Sequence, residues 1–468
     1  MDLGASTYFE FFGVRQDIRS VVITPEQRRK HFHVVGATES GKSSLLMYML
    51  AQDIEAGRGV CLIDPHGDLS KELIRLLRNE HECTDEDFWS NFTYFQPSNP
   101  LSTISYNVLK TDLSPYAAAN QVIESIRRAW PEALAVSPRF SDTLTFALMT
   151  LIYNDLTLNE LQDCLTNKLF REHLLCKVPV QAIRNFFRSR YEKWGGRNAP
   201  LMYESILNKL SPLLLNPHLG RVFGSQQNLL QIPNIMNQGG VLIVDLGGCN
   251  DTARSLLGNI IISEIEQTAQ RRAIGNRRDF YLYVDEIQSI CSNTGRNKTV
   301  ETILSERRKF GLFITLAHQH FRQLAPELIG TILTNTKNKL VLNSDYDEAK
   351  LLSKRLFTVD PLKIKHEAQN IKVRENQHPL YYSLDEQWLE HIQKMMSLET
   401  QQAFFKKPGM KDATKIKVPN LQFKYSEQDA SDMIQLLITS KGVSLADIDK
   451  HITERERRHY AFKHPQKK

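Results

Sequence analysis

A chain of 468 residues is longer than a single hydrophobic core usually supports, so we expect two or three domains. Its 41% hydrophobic and 24% charged residues are typical of a globular protein. No run of about 18 apolar residues predicts a membrane span, and the net charge of +6 is only a mild indication of a polyanionic partner.

Cysteine usage and the amino-terminal sequence indicate where the protein works. The six cysteines form no C-x-x-C pair and no cluster with histidine, which favours a reducing compartment and argues against structural zinc. The first residues lack the basic-then-apolar order of a signal peptide. We therefore predict a soluble, cytoplasmic protein.

Residues 1–31 are predicted to form an arm that precedes the first domain. The arm contains an aromatic segment at Tyr8–Val14, a strand at Ser20–Ile23 and a basic cluster at Arg28–Lys30. The aromatic side chains either pack over an adenine ring or dock onto the core, and the sequence leaves both alternatives open.

A glycine-containing motif between a predicted strand and a predicted helix organises the first domain. The strand is Phe32–Val35, the helix runs to about Ala51, and a buried strand at Val60–Ile63 follows. Between strand and helix the sequence reads G-x-x-x-x-G-K-S, the pattern of a phosphate-binding loop. The pattern predicts that a nucleoside triphosphate binds to Gly36, Ala37, Thr38, Glu39, Ser40, Gly41, Lys42, Ser43 and Ser44.

Three residues of this loop carry separate expectations. Lys42 is expected to reach the β- and γ-phosphates, and the Ser43 hydroxyl to ligate Mg²⁺. Glu39 stands where many phosphate loops have glycine, so its carboxylate must point to solvent or be covered by a basic group. Its backbone is also less free than that of glycine to adopt a positive φ, which puts affinity or turnover in doubt.

A change of pattern marks a second domain. After a strand at Phe92–Phe95, residues 113–235 show helical spacing with few strand candidates. We interpret this segment as an all-helical domain inserted into an α/β domain, whose two parts are residues 32–112 and 236–395.

The second motif lies where the α/β domain resumes. A buried strand at Gly239–Leu246 and a long helix precede the apolar strand Phe280–Val284. Asp285 and Glu286 follow that strand, at the sheet edge where the phosphate loop is expected. Asp285 is predicted to hold Mg²⁺, and Glu286 to polarise the attacking water.

Two polar residues flank the next strand. The helix Thr299–Phe310 carries Arg308, and the strand Leu312–Leu316 ends shortly before Gln319. Gln319 is interpreted as a sensor of the γ-phosphate, and Arg308 as a group that reaches a phosphate across a subunit boundary. The alternatives are a surface amide and a solvated basic helix face. A run at Lys339–Leu342 is predicted to complete the sheet.

Residues 396–468 are predicted to lie outside the sheet. The stretch KKPGMKDATKIKVP is interpreted as a linker, followed by short helices at Ser426–Thr439 and Ser444–Ile452. The basic end that starts at Arg455 either contacts nucleic acid or is a solvated tail.

Several stretches in a fixed order carry a family resemblance. They are FGVRQDIR, RRKHFHVVGATESGKSSLLMYMLAQDIEAGRGVCLIDPHGDL, GGVLIVDLGG, DFYLYVDEIQ and ILSERRKFGLFITLAHQ, and they span roughly residues 10–390. Together they resemble the type IV secretion coupling-protein family, conjugative DNA-transfer ATPases of the FtsK–HerA superfamily.

The resemblance implies a RecA-like P-loop NTPase core with a mostly parallel sheet and an inserted all-helical domain. It also implies a homo-hexameric ring that hydrolyses ATP with Mg²⁺ and moves double-stranded DNA. The positions that match the family's functional residues are Lys42 and Ser43 for phosphate and Mg²⁺, Asp285 and Glu286 as the second acidic motif, Gln319 as the sensor and Arg308 as the intersubunit arginine.

The biological role stays open at this point. Asp64–Asp68 is a family signature, within which we interpret His66 as structural. Coupling proteins often carry a membrane anchor, which this sequence does not predict, and they usually have glycine in place of Glu39. We therefore expect a soluble DNA motor. The alternatives are a nucleotide-switched ring scaffold that recruits a nuclease or effector, for example in phage defence, and a secretion ATPase that acts on protein.

Overall fold

One large β-sheet with helices on both faces forms the centre of the protein. The computed structural model describes residues 1–6, 19–129, 138–195, 199–291, 297–365 and 380–463. The predicted aromatic segment Tyr8–Val14 and the last residues of the basic end lie outside these ranges.

The strands of the described residues are short, and most belong to the large sheet. In chain order they are β1 (Asp2–Ser6), β2 (Arg19–Val22), β3 (Phe32–Val35), β4 (Gly59–Asp64), β5 (Phe92–Phe95), β6 (Ser102–Thr103), β7 (Val241–Asp245), β8 (Phe280–Val284), β9 (Leu312–His318), β10 (Asn338–Val341), β11 (Ile364–Lys365), β12 (Leu380–Tyr381), β13 (Gln402–Lys406), β14 (Thr414–Lys417) and β15 (Val443–Ser444). The sheet order is β2-β1-β14-β13-β10-β3-β9-β8-β4-β7-β5, while β11 pairs with β12 and β6 with β15.

Seven neighbouring strands, from β10 across to β5, are parallel. All of their residues are buried, which explains why these strands read as continuous apolar runs in the sequence. Since parallel strands point the same way, the loops after β3, β8 and β9 meet at one edge of the sheet. The predicted α/β class with a mostly parallel sheet is confirmed.

The sheet continues beyond β10, so the prediction that β10 completes it is wrong. The prediction of a linker after residue 396 is also wrong. Strands β13 and β14 form an antiparallel hairpin beside β10, and β1 and β2 extend it. The Pro-Gly of the supposed linker is the hairpin turn, where Gly409 has a φ of 90°. Only Ile416 of β14 is buried, so pairing with neighbours rather than a hydrophobic pattern makes this segment a strand.

Side chains of the parallel strands alternate between the two faces of the sheet, where the described residues form three hydrophobic cores; Val35 and Val341 belong to the third. In β4, Cys61 and Ile63 belong to the core shared with the helical segment, whereas Val60 and Leu62 belong to the core on the opposite face. The helices that cover these faces are Pro25–Arg28, Lys42–Glu55, Asp68–Leu77, Glu86–Trp89, Pro115–Ala129, Pro138–Tyr153, Leu161–Thr166, Lys168–Leu175, Gln181–Asn185, Ala199–Leu214, Pro217–Gly224, Ile232–Gln238, Asp251–Arg271, Lys298–Glu306, Pro326–Asn335, Tyr346–Leu356, Leu384–Met396, Glu427–Lys441 and Leu445–Lys463.

Between β6 and β7 the described residues are helical, with 3-10 and π turns but no strand. The carboxyl-terminal helix Leu445–Lys463 returns to this segment. Arg455 is buried and forms an ion pair of 2.6 Å with Glu160, and Arg221 pairs with Asp449. Arg455 is therefore part of the packed structure, and its assignment to a solvated tail or a nucleic-acid contact is wrong.

None of the helices in the described ranges combines the length and the apolar character that crossing a membrane requires.

Candidate functional site

The predicted site residues meet at the carboxyl edge of three adjacent strands. Strand β3 leads into the phosphate loop, β8 into Asp285 and Glu286, and β9 into Gln319, and these strands are neighbours in the order β3-β9-β8. Ligands of open α/β sheets bind at this kind of edge. The topology therefore brings together residues that are more than 240 positions apart in the sequence.

The phosphate loop has the backbone conformation that its glycines allow. Gly41 begins the helix Lys42–Glu55 with a φ of 94°, and a Cβ there would lie 3.0 Å from the backbone of Gln401. Glu39 has a φ of 62°, a left-handed conformation that a non-glycine residue adopts at a cost of about 1–2 kcal/mol. Glu39 is exposed to solvent and also contributes to the lining of the cavity over the loop.

Lys42 places a buried ammonium group in the loop, and no described residue accepts a hydrogen bond from it. The residue is only 6% exposed, and its Nζ is buried without a hydrogen-bond partner. The nearest carboxylate oxygens are Glu286 Oε1 at 3.5 Å and Asp285 Oδ1 at 3.8 Å. The Ser40 hydroxyl is likewise buried and unpartnered. A buried ammonium group without an acceptor is costly, and a phosphate group in the cavity that Lys42 lines would supply the acceptor.

Glu286 is held by two side chains from other segments. Gln319 Nε2 donates a hydrogen bond to Glu286 Oε1, and His66 Nε2 lies 2.8 Å from Glu286 Oε2. The Thr38 hydroxyl donates to Gln319 Oε1 over 3.2 Å, which links the segment after β9 to the phosphate loop. Glu286 itself has a φ of 44°, a strained conformation of the kind found at functional sites.

The pKa values of the two acidic residues are shifted in opposite directions. Burial raises the pKa of Asp285 to about 6, with Asp64 and Glu286 adding to the effect and Lys42 opposing it. Burial also acts to raise the pKa of Glu286, but the charge of Lys42 and the hydrogen bond from His66 outweigh it and hold that pKa below its ordinary value. Glu286 is therefore ionised at neutral pH, as a group that activates water must be.

A cavity of about 350 Å³ lies over the phosphate loop, between Lys42 and Glu286. Sequence reasoning missed two of the residues that line it, Thr400 and Gln401, because they precede β13 in a polar stretch without periodicity. Gln401 N donates to Ser40 O at 2.9 Å, so the antiparallel hairpin supports the loop directly. The full lining is Ala37, Thr38, Glu39, Gly41, Lys42, Ser43, Ser44, Glu286, Gln319, Thr400 and Gln401.

Arg308 is the one predicted site residue that lies elsewhere. It is exposed, in the 3-10 turn Arg307–Phe310 that precedes β9, whereas Gln319 follows the same strand. The seven residues of β9 separate the two positions by roughly 20 Å. Arg308 therefore does not reach the phosphate loop of its own chain.

A sequence profile described as the central domain of the helicase HerA matches residues 15–265, more than half of the chain. The chain belongs to the HerA central-domain family. The matched range of this HerA-family protein includes the phosphate loop and the helical segment and ends before Asp285 and Glu286. The family resemblance inferred from the motifs is thereby confirmed.

Solved structures with the same fold support this assignment. The bacterial conjugative coupling protein TrwBdeltaN70, in its unbound monoclinic form, matches with a TM-score of 0.61 and 16% identity over 86% of this chain and 88% of that chain. VirB4 of Thermoanaerobacter pseudethanolicus matches with a TM-score of 0.54 and 13% identity over 90% and 96% of the two chains. At these identities the likeness concerns the fold, a RecA-like P-loop ATPase fold. No curated protein sequence matches the chain significantly.

Proposed function

We propose that this HerA-family protein is an Mg²⁺-dependent ATPase that assembles as a homo-hexameric ring and translocates double-stranded DNA. The observation that carries the proposal is the division of the catalytic groups between opposite sheet edges. Lys42 and Glu286 lie at one edge, and Arg308 lies at the other, so a complete site requires two subunits.

The use of ATP and Mg²⁺ is supported by the unsatisfied groups of the loop and by one relative. TrwB, whose structure with an ATP analogue has a TM-score of 0.57 and 17% identity to this chain, has been solved in complex with ADPNP and, separately, with ADP and Mg²⁺. In this chain, the Ser43 hydroxyl and the Asp285 carboxylate would hold the ion. When bound, Mg²⁺ would neutralise charge on the β- and γ-phosphates.

The chain's own residues divide the work of hydrolysis. Lys42 binds the phosphate oxygens, and ionised Glu286 orients and deprotonates the attacking water. Gln319 forms hydrogen bonds with both Thr38 and Glu286. It therefore holds Glu286 close to the phosphate loop, and a shift of Thr38 or of Glu286 moves Gln319. When phosphate leaves, the position of Gln319 changes first. Gln319 follows β9, and Arg308 lies in the turn that precedes the same strand.

A basic cleft lies at the edge of the sheet where Arg308 is found, and its charge supports the proposal that the substrate is a polyanion. The cleft has a volume of about 700 Å³ and contains four arginines, Arg271, Arg272, Arg277 and Arg278. Arg272 is 6% exposed, donates to Phe310 O at 2.8 Å, and keeps a buried Nε without a partner. Arginines grouped in this way bind the phosphates of nucleic acid without reading its sequence.

The deciding experiment measures the ATPase rate with and without duplex DNA, together with the particle mass in ATP. We expect strong stimulation by DNA and a mass of six chains. A protein that hydrolyses ATP as a monomer, equally fast without DNA, would contradict the proposal.

The left-handed Glu39 supports a second candidate, a nucleotide-switched ring that recruits a nuclease, an effector or a secretion partner. Strain in the phosphate loop is expected to slow turnover and to prolong the ATP-bound state. Under this candidate, DNA does not stimulate hydrolysis, and Glu39→Gly raises the turnover number.

A further inference from the structure

Three side chains of metal-ligating types converge just beyond the end of β9, at a place distinct from the phosphate loop. His320 follows Gln319 directly, and Asp345 and Glu348 come from the start of the helix Tyr346–Leu356. His320 Nδ1 lies 3.4 Å from Asp345 Oδ2 and 3.7 Å from Glu348 Oε2. One ligand atom from each residue lies within 4.8 Å of the other two. We call these three residues the His320 cluster.

Glu348 provides a separate indication that a cation belongs here. The residue is only 2% exposed, and its Oε1 accepts a hydrogen bond from Phe321 N at 3.0 Å. Its Oε2, the atom that faces His320, is buried and has no hydrogen-bond partner. An unpartnered carboxylate oxygen in a buried position is strongly disfavoured, so this atom requires a positive charge nearby.

The distances fit a shared metal ion better than direct hydrogen bonds. Both nitrogen–oxygen separations exceed the usual N–H···O range of about 2.7–3.2 Å. A tetrahedral ion with ligands at about 2.0–2.2 Å places its donor atoms about 3.3–3.6 Å apart. The distance of 3.4 Å lies within that range, and the distance of 3.7 Å exceeds it by about 0.1 Å.

The outer oxygen atoms of the two carboxylates are already fixed. Asp345 Oδ1 accepts from Glu348 N at 3.1 Å, and Glu348 Oε1 accepts from Phe321 N, so each carboxylate directs its second oxygen at His320. Hydrogen bonds to the remaining oxygen atoms of metal-binding carboxylates orient those ligands in known metal sites.

We propose that His320 Nδ1, Asp345 Oδ2 and Glu348 Oε2 bind a divalent transition metal ion, for which Zn²⁺ is the best match. The two carboxylates balance the charge of the ion, and the imidazole favours Zn²⁺ over Mg²⁺ or Ca²⁺. The fourth position stays open to water. A bound ion would fasten His320, which follows Gln319 and lies two residues beyond the end of β9, to the helix Tyr346–Leu356.

The test is a titration of the full-length, metal-stripped protein with Zn²⁺, without nucleotide or Mg²⁺, against a chromophoric competitor. We expect one Zn²⁺ per chain, and an affinity at least about 100-fold lower in His320→Gln and in Glu348→Gln. Glu348→Gln keeps the bond from Phe321 N and the shape of the side chain. If it fails to fold, Asp345→Asn, which retains an N-cap residue, replaces it. Co²⁺ should give ligand-field bands that His320→Gln abolishes.

His81 provides a matched control. It also lies between two carboxylates, but Glu55 meets Nε2 at 3.0 Å and Asp85 meets Nδ1 at 3.0 Å, on opposite sides of the ring. These three side chains cannot chelate one ion, so His81→Gln should bind Zn²⁺ like the unaltered protein. The proposal is overturned if the unaltered protein binds no Zn²⁺, or if His320→Gln binds it as tightly. Neither result depends on ATP hydrolysis.

Discussion

His66 Nε2 lies 2.8 Å from Oε2 of Glu286, on the other carboxylate oxygen from the one that Gln319 contacts. His66 belongs to the loop after β4, so a neighbouring strand contributes to the orientation of the predicted base. The Asp64–Asp68 motif, which had no evident role in the sequence, thereby contacts the residue that we predict to be the base.

Replacing His66 by Ala is expected to lower kcat about tenfold or more, because Glu286 loses a hydrogen bond to its charged form. The KM for ATP should change little, since His66 lies outside the cavity lining over the phosphate loop. Steady-state kinetics check the prediction. A rise in KM at unchanged kcat would contradict it.

Lys42→Ala and Glu286→Gln should both abolish hydrolysis, but for different reasons. Loss of the Lys42 ammonium removes charge-assisted bonds to phosphate, and we expect about 10- to 100-fold weaker nucleotide binding. Glu286→Gln keeps the shape of the side chain and should retain binding while kcat falls by at least about 100-fold. Fluorescent-nucleotide titration separates the two variants, and equal loss of binding in both would refute the assigned roles.

Arg308→Ala should lower kcat by about 1,000-fold if the arginine acts on the nucleotide of a neighbouring subunit. Lys309→Ala, at the adjacent exposed position, is the matched control and should retain activity. Mixing Arg308→Ala subunits with Glu286→Gln subunits should restore part of the rate, because some interfaces then combine an intact base with an intact arginine. No recovery on mixing would place Arg308 outside the shared site.

The double variant Arg277→Ala and Arg278→Ala should weaken binding to duplex DNA at all sequences equally. Each lost phosphate contact should reduce the slope of log affinity against log salt by about one. Fluorescence anisotropy at several salt concentrations measures both effects. Lys354→Ala removes an exposed charge elsewhere and should leave the slope unchanged. An unchanged slope in the double variant would exclude the cleft as a DNA contact.

Glu264 in the helix Asp251–Arg271 predicts a pH dependence of stability. Burial raises its pKa from the ordinary 4.5 to about 7, even though Tyr106 donates a hydrogen bond to it. Between these values the Glu264 carboxyl binds more protons in the folded protein than in the unfolded chain, so its contribution to stability is largest below about pH 4.5 and is lost as pH rises through 7. Glu264→Gln should therefore raise the free energy of unfolding at pH 8 by on the order of 3 kcal/mol.

Chemical denaturation at pH 5 and pH 8 measures this effect. Glu266→Gln, two residues further along the same helix, breaks the ion pair with Arg307 and should instead lower stability at pH 8. A destabilised Glu264→Gln protein at pH 8 would show that the ionised carboxylate is the favoured form.

The sequence by itself determined the parallel part of the sheet and the residues that follow β3, β8 and β9. Fully buried strands leave continuous apolar runs, and the phosphate loop needs glycine and lysine at fixed spacing, so both features are local. Several of the helices also followed from local spacing, whereas others, such as Pro326–Asn335 and Tyr346–Leu356, were not predicted. The positions of Asp285, Glu286 and Gln319 after β8 and β9 could likewise be predicted from the sequence, and their functional roles stay predictions.

Only the tertiary structure decided which distant residues meet. Pairing with neighbouring strands, and not a hydrophobic pattern of its own, makes the segment around β14 a strand. In the sequence this segment therefore resembled a linker. For the same reason the hydrogen bond between Gln401 and the phosphate loop was not predicted. The role of His66, the burial of Arg455 and the His320 cluster likewise depend on side chains that approach across strands and helices. Such contacts are set by packing and topology, and the spacing of residues along the chain carries no signal for them.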